Sequence, residues 1–150
     1  MEESYNTGVI YKVTNKVNNK IYIGKANSFV KHARTPHYKH GALGRFKRHL
    51  SNANNNSNEI PLLYNDIRIF KSDNFKIDIL EICLKEDLKI KEKHYIKILQ
   101  SYKDDVGYNI FIGDNKPEDI IHKKKYETSK ITSNKIRAID GKLRQSEQTT

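Results

Sequence analysis

A single cysteine, no tryptophan and no long apolar run are what this 150-residue sequence has least of. One thiol excludes an intrachain disulfide and the common cysteine-based zinc sites. Cys83 lies within an apolar run and reads as a buried packing residue. The N-terminus, Met1-Glu2-Glu3-Ser4, is acidic and polar, the reverse of a secretory leader. With the lone thiol it predicts a reducing, intracellular setting. No segment approaches the roughly 18 apolar residues of a membrane span, and no amphipathic helix carries the anchors of a membrane-surface segment. Negative charge is also short. Eighteen Asp and Glu face 28 Lys and Arg, a formal net charge of +10. Such a surplus concentrates polyanions, and without a membrane feature the expected partner is nucleic acid.

The hydrophobic fraction of 36% suffices for one modest core. Residues 8–14 are rich in β-branched and aromatic side chains and read as a strand. The asparagine-rich residues 15–19 read as a turn, and residues 20–24 as a second strand closing a hairpin. Residues 25–44 lose the pattern and read as a long basic loop with His32, His37 and His40. The three histidines match no standard zinc spacing, so the loop is expected to face phosphate. Helical spacing returns over residues 43–53, with Phe46, Leu50 and Ala53 on one face, and over residues 60–70, with Ser57 or Asn58 as the expected cap. A third strand is predicted at residues 75–82, a helix at 87–99 and a closing turn at 107–111. The order β-β-α-α-β-α predicts an α/β fold, a small three-stranded antiparallel sheet flanked by helices. That domain takes residues 1–113. Residues 114–150 form a basic tail poor in large apolar residues, either a DNA-binding repeat or disordered.

Polar residues punctuate this frame in a recognisable order: Gly8-Val9-Ile10-Tyr11, then Tyr22-Ile23-Gly24, then Arg45 and His49 on the first helix, Glu92 on the last, and Asn109 in the closing turn. Over residues 8–112 the chain resembles a GIY-YIG nuclease domain. A lone Tyr-Ile-Gly would mean little; the ordered set carries the likeness. The resemblance implies a DNA endonuclease using Mg²⁺ or Mn²⁺. It implies Tyr11 as the base that takes a proton from the attacking water, with His49 relaying it. Tyr22 would position the water or the phosphate, and Glu92 would hold the metal. Physical chemistry agrees with these roles. A phenol titrates near 10 and needs help to act as a base. Arg45 and His49, four apart, share a helical face, and a guanidinium suits phosphate oxygens. One carboxylate plus phosphate and waters is how Mg²⁺ is usually held. Asn109 is expected to pin the closing turn. Lys20 and Lys25 flank the second motif and, with Lys47 and Arg48, are the expected phosphate contacts.

Each residue also has an ordinary reading: strand tyrosines as packing, the basic helix as a solvated face, Glu92 between Lys91 and Lys93 as a surface ion pair. Only their order raises them together. Residues 28–44 depart from compact members and read as an insertion. It offers a rival pair, Arg34 and Tyr38, but Pro36 between them opposes a helix, so Arg45 and His49 are favoured. In the tail, residues 133–141 and 146–149 resemble the short modular DNA-binding repeats of homing endonucleases. A homing or mobile-element nuclease is therefore expected. A restriction or structure-specific repair nuclease, and a catalytically silent DNA-binding module, are the alternatives. One active site per domain means that a double-strand break needs a homodimer or successive nicks.

Overall fold

The structure is a computed structural model that describes residues 1–31 and 38–110. Strand β1 (Thr7–Asn15) is central. It pairs antiparallel with β2 (Ile21–Asn27) on one side and with a later strand, Phe75–Leu84, on the other. The expected three-stranded antiparallel sheet is therefore present. The hairpin turn uses its asparagines as read: Asn15 Oδ1 accepts from Val17 N at 2.9 Å, Asn18 Oδ1 accepts from Lys20 N at 3.0 Å, and Asn19 is left-handed at φ 63°.

Residues 25–44 are not one loop. Strand β2 runs on to Asn27, and β3 (Phe29–Val30) pairs with β4 (Tyr38–Lys39) as a small second sheet. Helix α1 (Gly41–Asn54) begins two residues before the expected start. Strands of two residues are too short to show alternation, which is why the sequence hides them. His32, Arg34, Pro36 and His37 lie outside the described residues. Helix α2 (Pro61–Phe70) also departs from expectation. Neither Ser57 nor Asn58 caps it; Ile60 takes the cap position and Pro61 opens the helix. Proline brings a pre-set φ and no N–H in need of a partner, so a side-chain cap is less needed there. Strand β5 (Phe75–Leu84) and helix α3 (Leu88–Leu99) complete the domain. The tail at 114–150, with its repeat-like segment, lies outside the described residues.

Side-chain alternation along β1 divides the core. Val9, Tyr11 and Val13 point to one face, where they meet Ala42 and Ala53 of α1 and Leu63, Tyr64 and Ile67 of α2. Ile10 points to the other face, with Ile23, Cys83, and Leu88 and Ile96 of α3. The sheet is thus covered on both sides, which explains why nearly all of β1 is buried. A register shift between Ile10 and Tyr11 moves the β1–β5 pairing by one residue.

Candidate active site

The hairpin places Tyr11 and Tyr22 on one face, as spacing suggested, with ring centroids 6.4 Å apart. Tyr11 stands opposite Gly24 in the β1–β2 register. The Tyr11 ring and hydroxyl lie over that glycine so closely that a Cβ there would collide with both. The glycine of the second motif is therefore the space the Tyr11 side chain occupies. Behind Tyr11 stands His49 of α1, fully buried, with Nε2 at 2.6 Å from the Tyr11 hydroxyl. Its Nδ1 is 2.9 Å from the hydroxyl of Tyr64 on α2. Tyr22 stands edge-on to the same imidazole, centroids 5.6 Å apart.

In front of Tyr11 opens a cleft of about 390 Å³. Its walls include Tyr11, Tyr22, Lys25, Arg45, Glu59 and Glu92. β2 is the outer strand, and its alternate residues send Tyr22 towards α1 and α2 and Ile23 towards α3. The cleft takes residues from both sides, so it straddles the edge of β2. Part of that edge is closed by the segment after α3. Tyr108 N donates to Ile21 O at 2.8 Å. Asn109 then clamps Ile23 with its side chain, accepting from Ile23 N and donating to Ile23 O, each at 2.9 Å. Asn109 thereby holds the closing turn to β2 at Ile23.

The charged groups of the cleft stand in pairs. Lys25 Nζ is 3.2 Å from Glu92 Oε1, and Arg45 is 3.7 Å from Glu59 Oε1. Arg45 is also a charge and hydrogen-bond partner of the Tyr11 hydroxyl. Burial pushes the Tyr11 phenol well up; the Arg45 guanidinium opposes that rise and the Glu92 carboxylate adds to it. Burial likewise raises Tyr22. Burial first, then the charges of Arg45 and Arg48, push His49 down to about 3.

The low His49 value has a consequence for stability. The unfolded imidazole takes a proton near 6.5, whereas the folded one refuses it until about 3. The unfolded state therefore binds more protons across that window. The stability contributed by neutral His49 is complete above pH 6.5 and is lost as pH falls towards 3, at about 1.4 kcal/mol per pH unit for one proton. Thermal melts should show a steeper loss of Tm over this range for wild type than for His49→Gln. Parallel slopes would mean that His49 titrates normally.

Arg45 and His49 thus reach Tyr11 from one helical face, while the rival Tyr38 is exposed on β4 and its partner Arg34 is outside the described residues. Of the expected phosphate contacts only Lys25 lines the cleft. Lys47 and Arg48 are on the exposed face of α1, and Lys20 precedes β2 at its far end. Tyr64, Glu59 and Asn52 are additions that the sequence did not reveal. No group of three His, Cys, Asp or Glu side chains converges among the described residues. The described donor set therefore does not fit a protein-caged ion such as structural zinc. It does fit a Mg²⁺-class ion, which keeps several waters and binds through one carboxylate and substrate phosphate. Glu92 would be the carboxylate for it, with the ion in place of the Lys25 ammonium that stands at 3.2 Å.

No protein-family model matches the sequence. An uncharacterized protein of Acanthamoeba polyphaga mimivirus is 41% identical over 143 residues, which are 95% of this chain and 56% of the relative. The chain thus spans little more than half the length of that curated relative. Among solved structures, the catalytic domain of the intron endonuclease I-TevI in a mutant form is similar at a TM-score of 0.55 and 25% identity, over 72% of this chain and 97% of that one. A second structure of the same catalytic domain, described as that of a homing endonuclease, matches at a TM-score of 0.51 and 27% identity, over 69% and 97%.

Proposed function

We propose that this chain, whose described part has the GIY-YIG endonuclease fold, hydrolyses DNA phosphodiesters with a divalent metal and serves a homing or mobile element. The observation that carries the chemistry is the 2.6 Å contact between Tyr11 and a buried His49 at the back of a cleft that also presents Arg45 and Glu92.

The relay removes the difficulty of a phenol that resists ionisation. As a water attacks phosphorus, it gives a proton to the Tyr11 oxygen while Tyr11 passes its own proton to His49 Nε2. The oxygen of the attacking water forms the new P–O bond, the ester P–O bond breaks, the departing oxygen is protonated by solvent, and His49 later returns its proton to solvent by way of Tyr11. No free phenolate is required. His49 is a poor base in the DNA-free protein, first because it is buried and then because Arg45 and Arg48 stand near it. A phosphate bound to Arg45 offsets the arginine's share of that effect and raises the basicity of His49 to that extent. Arg45 exchanges Glu59 for phosphate oxygens and stabilises the added charge on phosphorus. Tyr22 walls the water's approach. Lys25, Lys47 and Arg48 hold flanking phosphates. A metal held by Glu92 supplies positive charge to the phosphoryl group and the departing oxygen.

No described helix is long and apolar enough to cross a membrane. With one active site per domain, a double-strand break requires either a homodimer or successive nicks. Supercoiled plasmid incubated with the full chain is expected to become nicked, then linear, with Mg²⁺ and to stay intact with EDTA. Binding, read without metal, should weaken steeply with salt. Metal-independent cutting would remove the role of Glu92. Salt-independent binding would contradict the phosphate contacts.

A further inference from the structure

The geometry points to Tyr64 as a positioning residue for His49: its buried hydroxyl holds the imidazole in the tautomer whose Nε2 faces Tyr11 without a proton. For its effect on catalysis this rests on the nuclease reading above; for the tautomer it rests on the contacts alone.

Both nitrogens of His49 meet a phenol, Tyr11 at Nε2 and Tyr64 at Nδ1. A neutral imidazole carries one N–H, so two arrangements exist. In the first, Nδ1–H donates to the Tyr64 oxygen and Nε2 accepts from the Tyr11 hydroxyl. In the second, Tyr64 donates to Nδ1 and Nε2–H faces Tyr11. Only the first leaves Nε2 able to take the Tyr11 proton.

The surrounding charges select the first arrangement. Arg45 is the leading charge partner of Tyr11, and a cation there turns the Tyr11 oxygen towards itself and the phenolic proton away, towards Nε2. Near Tyr64, Glu59 is the leading charge, and it also pairs with Arg45 at 3.7 Å. That carboxylate favours a Tyr64 O–H dipole turned away from the imidazole, which leaves an oxygen lone pair facing Nδ1. The Tyr64 oxygen is itself held in place. Tyr64 is fully buried on α2, and Asn52 Nδ2 donates to its oxygen at 3.2 Å while also donating to Glu59 Oε2 at 3.1 Å. With Arg45 donating to the Tyr11 oxygen, the hydrogen bonds run in one direction, from Tyr11 to His49 to Tyr64. After the proton transfer Nδ1–H still has its acceptor, so the imidazolium is not left buried without a partner.

Tyr64→Phe keeps the ring in the core and removes only the acceptor. Nitrogen NMR of ¹⁵N-histidine-labelled full chain, without DNA or metal, reads the tautomer directly. Wild type is expected to carry the His49 proton on Nδ1, and Tyr64→Phe to carry it on Nε2. Single-turnover DNA cleavage by Tyr64→Phe should fall about 10- to 100-fold with DNA affinity unchanged. A wild-type proton on Nε2 would overturn the inference, whether or not the variant folds. So would a Tyr64→Phe protein that keeps both the Nδ1–H tautomer and the wild-type rate. A chain with the expected tautomers that cuts no DNA would count against the nuclease reading and leave the role of Tyr64 standing.

Discussion

Tyr11→Phe should slow single-turnover DNA cleavage by about 10²- to 10⁴-fold while leaving DNA affinity within a small factor of wild type. The variant deletes one oxygen atom. The phenyl ring still fills the space over Gly24 and the core position between the sheet, α1 and α2. What disappears is the atom that receives the water's proton and returns one to His49. The loss has a stability cost too, because His49 is fully buried and Nε2 would be left without a partner. An unsatisfied buried polar atom costs about 1–3 kcal/mol. Cleavage should therefore be compared at a temperature where circular dichroism shows both proteins folded. A folded Tyr11→Phe protein cutting at the wild-type rate would remove the relay altogether.

Glu92→Gln has the second large effect, and its signature is opposite for binding and for cutting. The substitution removes the charge that Lys25 faces at 3.2 Å, so the cleft gains one net positive charge. DNA binding without metal should hold or tighten. Mg²⁺-dependent cleavage should fall about 10³-fold, the size expected when several kcal/mol of metal stabilisation are removed. Gel shifts in EDTA and cleavage in Mg²⁺ on the same preparations separate the two effects. Binding and cutting that weaken together would make Glu92 a structural partner of Lys25 and nothing more.

These expectations depend on residues that the sequence exposed unequally. Tyr11 and Tyr22 were legible because a hairpin with an asparagine turn fixes which strand residues share a face. Arg45 and His49 were legible as a helical pair, yet their fates differ in a way spacing does not encode. Arg45 reaches the cleft, whereas His49 is sealed behind Tyr11. Residues 25–44 looked patternless because β3 and β4 are two residues each. Tyr64 looked like any aromatic on the apolar face of a helix; only the tertiary approach of α1 to α2 brings its hydroxyl to His49. The pairs Lys25–Glu92 and Arg45–Glu59 join residues from different segments, 67 residues apart for the first, and no local pattern predicts them. The ordinary reading of Glu92 as an ion-pair carboxylate was half right: it is paired, but with Lys25 across the cleft and not with Lys91, which faces Glu81 at 3.1 Å.

The most direct test starts the reaction on DNA that is already bound. Full chain in excess is mixed with supercoiled plasmid in EDTA-treated buffer at low salt, and Mg²⁺ is then added with time points on a gel. The account predicts that bound plasmid stays supercoiled until Mg²⁺ arrives and is then nicked in a single exponential, with Tyr11→Phe bound equally and essentially silent. Bound plasmid that stays supercoiled with both Mg²⁺ and Mn²⁺ would contradict it and leave a DNA-binding module that keeps the fold.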